Sequence, residues 1–338
     1  MIKSLTFKRV RLLSWLIAGL ILTLAAPAIS WAQTSAKLDE FVVAGWSKPI
    51  TEITNLLSEE DKGFFKARSI KLGYIPGAGG GDALRNLLSG QADVAFTDPG
   101  SFFTALDKGE KLRAIYDIYP QNVFNVVSLA SKNILTPVDL KGKRIGVYSL
   151  SSGTRQNLQV LLNQAGLSED DVTIVVTGLL NFAPLIQGQV DATAATDTGL
   201  LVGRQRGLRD VNVMEVKNSL NISSDLFVVR EETYQQKKEI LKRFLKAYQD
   251  SAKWMIDSPE EAAKLAVKYA IDGQNLSMNL DIIKLRNASS VSATTEQYGL
   301  GAFDMKSLQK GADVYQKIGL IQKNIDVNAV VSQDLLPK

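Results

Sequence analysis

Beyond its first forty residues the chain alternates short, nearly continuous apolar runs with longer stretches in which apolar residues recur every three or four positions. The runs at 41–44, 70–74, 92–96, 123–130, 143–147, 172–176 and 226–230 predict buried strands, each ended by glycine or polar residues. The stretches at 83–88, 101–106, 155–165, 231–257 and 259–270 predict helices. Strands that alternate with helices are the pattern of α/β architecture with mostly parallel sheets. Leu158, Leu161 and Leu162 fall on one face of the 155–165 helix, and Leu84, Leu87 and Leu88 on one face of 83–88.

One passage occurs twice. LLSGQADVAFTDPG at 87–100 returns as LIQGQVDATAATDTG at 185–199. In both copies Gly90 or Gly188 stops an apolar helix end, Asp93 or Asp191 follows, and a short small-residue strand leads to a polar loop holding Asp98 or Asp197. Two similar lobes are implied, and lobes whose strand ends face one another enclose a cleft, where such sheets take small molecules. We divide the mature chain into a first lobe (36–128), a second lobe (129–224) and a return to the first with C-terminal helices (225–338). Crossing hinge strands are expected near 126–130 and 226–230.

The candidate site residues lie where strands hand over to helices. Trp46 leaves the first strand in the loop Gly45-Trp46-Ser47-Lys48-Pro49. The glycine loop at 76–82 brings Gly79 and Gly80 to a helix start, where backbone N–H groups and the helix dipole favour an oxyanion. Thr97 and Asp98 end the next strand. In the second lobe Ser151, Ser152 and Thr154 repeat the helix-start arrangement, Arg155 lies in that helix's first turn, and Asp197 ends the repeated motif. Each has a plainer reading: the glycines as a turn capped by Asp82, Thr154 as an ordinary cap, the aspartates as turn formers. Leu241, Phe244, Leu245, Tyr248 and Trp254 read as core.

Composition narrows the chemistry. The 338 residues are 45% apolar, enough for one large or two medium cores. Formal charge is +4. Lys3, Lys8, Arg9 and Arg11 precede an apolar run over 12–26 and a small-residue exit at Ser30-Trp31-Ala32, the anatomy of a secretory signal cleaved near Ala32. Without those four bases the acids and bases are equal in number, so nothing points to nucleic acid. The chain holds no histidine and no cysteine. That removes Ser/His/Asp and Cys/His nucleophile systems, imidazole and thiolate metal sites, disulfides and N-terminal lipid attachment. No catalytic residue, cofactor or metal is expected, and a freely soluble exported chain is retained by an outer membrane, in a periplasm.

The ordered run GFFKARSIKLGYIPG, LLSGQADVAFTDP, VDLKGKRIGV, SSGT and GQVDA resembles the substrate-binding proteins of ABC importers in the aliphatic sulfonate, taurine and thiamin-pyrimidine-precursor group. That resemblance spans about 41–230. It implies a two-lobed type II periplasmic-binding-protein fold, each lobe a mostly parallel sheet flanked by helices, that closes on its solute by a hinge. By position it carries the ligand to Trp46, Gly79, Gly80, Thr97, Asp98, Ser151, Ser152, Thr154 and Asp197. The implied partners are a small-molecule ligand and ABC permease and ATPase subunits, for a monomer with no stable membrane insertion after cleavage. Three features depart from the group: Ala67-Arg68-Ser69 replace its glycine segment, the cysteine-rich motif of thiamin-precursor binders cannot occur in a chain without cysteine, and Ala195-Thr196-Asp197-Thr198 lack the tryptophan of sulfonate binders.

The expected solute is a small organic anion such as a sulfonate, held by both helix starts and Arg155. The alternative is a pyrimidine or flavin-type vitamin precursor stacked on Trp46, Phe96 or Tyr148, with Asp98 or Asp197 accepting its N–H groups. A sensory ligand-binding module, or an enzyme on the same fold, is the alternative class. One helix start contributes about 0.3–1 kcal/mol to an exposed anion, whereas micromolar capture needs about 8 kcal/mol. Both lobes must therefore act together.

Overall fold

The computed structural model describes residues 37–180 and 182–337. The expected leader, its expected cleavage point and Asn181 of the 178–184 loop lie outside the described residues. Two five-stranded mixed sheets organise the fold. Strands β1 (Asp39–Ala44), β2 (Ile70–Ile75), β3 (Val94–Thr97) and β4 (Leu112–Tyr119) enter the first; β5 (Phe124–Leu129), β6 (Arg144–Val147), β7 (Thr173–Val176), β8 (Ala192–Thr196) and β9 (Val211–Glu215) build the second. The chain then returns to the first as β10 (Asp225–Arg230). The orders are β2-β1-β3-β10-β4 and β7-β6-β8-β5-β9. In each sheet four strands run in one direction, and the fifth, β10 or β5, is inserted antiparallel among them. This is the two-lobed α/β architecture of type II periplasmic binding proteins.

The strands expected to cross do not. β5 stays in the second sheet and β10 in the first, and the passages between sheets are the short segments 120–123 and 216–224. Ser224 ties the two passages together, its amide donating to the Tyr119 carbonyl at 2.8 Å and its hydroxyl accepting from the Val123 amide at 3.0 Å. β4 and β9 were absent from the pattern reading because Arg113, Asp117 and Asn212 interrupt their apolar runs. All but one residue of β4 is nevertheless buried.

The repeated motif has a structural meaning. Asp93 accepts from the Val42 amide of β1 at 2.9 Å, and Asp191 from the Arg144 amide of β6 at 3.0 Å. Each acid satisfies a strand N–H that its short neighbouring strand leaves open. The second half of the motif is offset by one residue. Asp98 caps helix Pro99–Asp107 by accepting from the Ser101 amide at 2.7 Å, and the residue that does this for helix Asp197–Gln205 is Thr196, from Gly199 at 3.2 Å. Asp197 is thereby released from capping.

The C-terminal segment closes the first lobe. Helix Lys238–Asp257 buries Leu241, Phe244, Leu245 and Tyr248 against the sheet, with Phe244 stacked 4.5 Å from Phe41 and edge-on to Phe227 at 5.2 Å. These residues are core, as the pattern predicted; Trp254 is half-buried. Helix Pro259–Tyr269 packs on helix Leu276–Ser289, which also reaches helix Asp197–Gln205 of the second lobe. No described helix is long and apolar enough to cross a membrane.

Candidate functional site

The C-terminal ends of β1, β3, β6 and β8 face one another across a cavity of about 140 Å³. On the first-lobe side it is lined by Trp46, Glu52, Gly79, Gly80, Asp98 and Asp225; on the other by Phe124, Tyr148, Ser152, Thr154, Thr196 and Thr198. Ile271 and Leu179 flank it from either lobe, and the exposed Arg206 is its one lining cation. Trp46 stands edge-on to Phe96 (6.4 Å) and, across the gap, to Tyr148 (6.3 Å). Its indole N–H is buried without a partner.

The lobes touch through the two helix starts. Gly81 donates to the Ser151 carbonyl at 3.0 Å, and the Ser149 hydroxyl donates to the Ala78 carbonyl at 2.5 Å. The glycines permit this approach: a Cβ on Gly79 would lie 2.6 Å from the Ser151 carbonyl oxygen, and one on Gly80 would lie 2.1 Å from Asp98 Oδ2. Gly79 also has φ of +117°, which side chains disfavour. Farther along, the Gln156 carboxamide meets the Ser101 hydroxyl at 3.0 Å in either amide orientation. No side chain caps helix Gly80–Leu88 or helix Gly153–Gln164, and with Gly81, Asp82, Ala83, Arg155 and Gln156 already donating to carbonyls, the first-turn amides left for a solute are those of Gly80, Gly153 and Thr154.

Several predicted residues are brought together here and others are not. Trp46, Gly79, Gly80, Asp98, Ser152 and Thr154 line the cavity. Thr97 sits behind it, donating to the Gly80 carbonyl at 3.0 Å and so fixing the glycine turn. Ser151 serves the lobe contact. Arg155 points elsewhere: its guanidinium is paired with Glu169 and donates to the Leu150 carbonyl at 2.9 Å. It adds no donors to the cleft. Asp98 is less free than expected, since both its oxygens accept from Ser101. Burial pushes its carboxyl up to about 6 despite those bonds.

Asp197, released from capping, accepts from Arg286 at 3.1 Å. Arg286, on helix Leu276–Ser289 and only 1% exposed, also donates to Glu52 at 3.0 Å and to Thr198 Oγ1 at 2.9 Å. The Thr198 hydroxyl in turn donates to Glu52 at 2.5 Å. Both lobes thus meet at one guanidinium, which also lies 4.8 Å over the Tyr119 ring. Burial opposes its charge, but Glu52 and Asp197 hold it above the usual arginine range. The sequence reading missed Arg286 because it stopped at the helices before residue 270, and a lone arginine in a helix carries no spacing signal. Asp225 was missed for a different reason. It begins the antiparallel β10, so its N-terminal end lies beside the C-terminal ends of its neighbours, with Leu226 paired to Thr97.

Among the described residues no group of acidic side chains is arranged to hold a metal ion. A family model described as NMT1/THI5 like matches residues 50–262. A riboflavin-binding protein, RibY of Chloroflexus aurantiacus, is 24% identical over 250 residues, covering 72% of this chain and 71% of that protein. A putative thiamine biosynthesis protein of Haemophilus influenzae is 24% identical over 312 residues, 91% of this chain and 93% of that one. Among solved structures, the alkanesulfonate-binding protein SsuA of Xanthomonas axonopodis pv. citri, bound to MOPS, superposes with a TM-score of 0.69 at 18% identity, over 88% of this chain and all of that one. That likeness is one of fold.

Proposed function

The chain belongs to the NMT1/THI5-like family, and from that premise we propose that it is the periplasmic solute-binding component of an ABC import system. It is exported with its leader removed near Ala32, acts as a monomer, and hands a small molecule to a permease and ATPase. The observation that carries this reading is the cavity itself, walled by strand ends and helix starts of two lobes that touch around it. A binder rather than an enzyme is supported by a chain without histidine or cysteine. The lobes hinge at 120–123 and 216–224, opening to admit solute and closing to exclude water, which strengthens each polar contact.

The geometry favours a single-ring heterocycle of the pyrimidine type. Trp46, Phe124 and Tyr148 supply aromatic walls, and a cavity of roughly 150 Å³ is known to take benzene, close to the volume here. A flavin has three fused rings and needs the lobes farther apart. Four carboxyl side chains line the cavity (Glu52, Asp98, Asp225 and Asp272) with one exposed arginine as its sole lining cation, so there is little positive charge to offset a sulfonate. A sulfonate stays the second reading because both helix starts are uncapped and offer N–H groups.

The test is calorimetry and small-angle scattering on the mature chain with 4-amino-5-hydroxymethyl-2-methylpyrimidine, riboflavin and taurine, alongside native mass spectrometry of protein from its own periplasm. Micromolar binding of the pyrimidine with contraction of the scattering envelope is expected. Tight binding of any of them with no contraction would defeat the clamp.

A further inference from the structure

Asp225 lines the cavity at 7% exposure, and neither of its carboxyl oxygens accepts a hydrogen bond from any described residue. The other acids around the cavity are occupied. Asp98 is bonded twice to Ser101, Glu52 to Arg286 and Thr198, and Asp272 to the Thr51 amide and hydroxyl at 2.8 Å each. A buried carboxyl without a partner costs stability. Its side chain opens toward the cavity between strand ends whose other occupants are Asp98 and, two strands away, Trp46. The Trp46 indole N–H, also buried and unpartnered, is the matching donor on the same row.

We propose that Asp225 is the polar anchor of the solute, pairing edge-on with a ring edge that presents an N–H donor beside a nitrogen acceptor. The proposal rests on the reading of the cleft as a solute-binding site. The chemistry of the pair follows from the surroundings of the carboxyl. Burial, with the charge of Asp98 close by, holds the Asp225 carboxyl well above the usual range, against the pull of Arg286 and with Glu52 and Asp117 adding to the rise. A neutral carboxylic acid offers one O–H donor and one carbonyl acceptor side by side. An amino group next to a ring nitrogen is its complement, whereas a sulfonate brings only acceptors. Hydrogen-bond mismatch at a buried polar group discriminates strongly between ligands.

The test compares wild type, Asp225→Asn and Asp225→Leu. Asparagine keeps one donor and one acceptor; leucine keeps the volume alone. With 4-amino-5-hydroxymethyl-2-methylpyrimidine, Asp225→Asn is expected to bind within about threefold of wild type and Asp225→Leu to weaken roughly 10- to 100-fold, the loss of one buried pair. Both ligand-free variants are expected to melt above wild type, because an unpartnered buried acid has been removed; a residue serving only the fold would lower the melting temperature. Wild-type affinity in the leucine variant overturns the anchor and leaves the cleft reading standing, as does a wild type that binds taurine but not the pyrimidine. Equal loss in both variants overturns the neutral pairing. A wild type that binds none of the probes and whose scattering envelope none of them changes overturns the cleft reading itself.

Discussion

Replacing Arg286 with methionine separates what holds the first lobe together from what holds the lobes to each other. Methionine matches much of the volume of the aliphatic stem and brings no charge. Two losses follow. Within the first lobe, Glu52 loses a partner at 2.8–3.0 Å in a site from which water is excluded; breaking a buried pair by removing one member costs about 3–5 kcal/mol. Between the lobes, Asp197 and Thr198 lose contacts at 3.1 and 2.9 Å. The Asp197 side chain is 29% exposed, so that part is partly screened and contributes on the order of 1 kcal/mol.

The first loss appears in unfolding and the second only in closure. Arg286→Met is expected to lower the melting temperature by on the order of 10 °C, at roughly 2–4 °C per kcal/mol for a chain of this size. Asp197→Asn spares the Glu52 pair, so its melting temperature should move little. Its solute affinity should fall about fivefold, since 1.4 kcal/mol is tenfold. Scanning calorimetry and titration calorimetry on the same preparations read the two effects apart. An Arg286→Met protein that melts with wild type would refute the assignment of Glu52 and Arg286 as a buried pair. An Asp197→Asn protein with lowered stability and intact affinity would refute the division between lobe and closure.

Three further outcomes follow. Gly81→Ala places a Cβ 2.8 Å from Ser151 Cβ in the closed form, and Gly81 has no left-handed backbone; ligand affinity should fall at least tenfold, with the scattering envelope held open and the ligand-free melting temperature unchanged. Trp46→Leu should weaken a ring-bearing solute by about 1 kcal/mol beyond lost area, while a change confined to stability would show the indole to be core alone. Asp117 is held up to about 8 by burial, against the Ser223 hydroxyl at 2.6 Å. A raised carboxyl binds its proton more tightly folded than unfolded, so its stabilisation is full below about pH 4 and is lost as pH rises toward 8. Asp117→Asn should flatten that decline in melting temperature, and a slope equal to wild type would count against it.

How much of this was legible in the sequence depended on which end of a strand carried the chemistry. The glycine turn, Asp98 and the Ser152–Thr154 helix start sit at the C-terminal ends of parallel strands, where apolar runs break into polar loops, so pattern alone located them. The duplicated GQxD passage gave the two lobes, yet it misassigned Asp197. Aligned without gaps the second copy places Thr196 opposite Asp98, and it is Thr196 that caps its helix. Reading two aspartates as equivalent because both are aspartates overlooked that capping is set by distance from the strand, not by residue type.

The residues that escaped belong to segments whose direction or distance hides them. Asp225 opens a strand, a position that in a parallel sheet faces away from the ligand edge; only the antiparallel insertion of β10 reverses this, and strand direction leaves no trace in hydropathy. The same insertion puts β10 between β3 and β4, so a residue more than a hundred positions after Asp98 stands next to it. Arg286 lies 234 positions from Glu52, and its burial could be foreseen only by knowing that helix Leu276–Ser289 bridges the lobes. Arg155 is the converse case. Its placement in the first turn suggested a donor for the cleft, but a residue two after a helix start points about 200° around the axis from the start itself, and Glu169 lies on that side. Local spacing thus locates helix starts reliably, while the charged residues around the cleft come from wherever the topology happens to bring them.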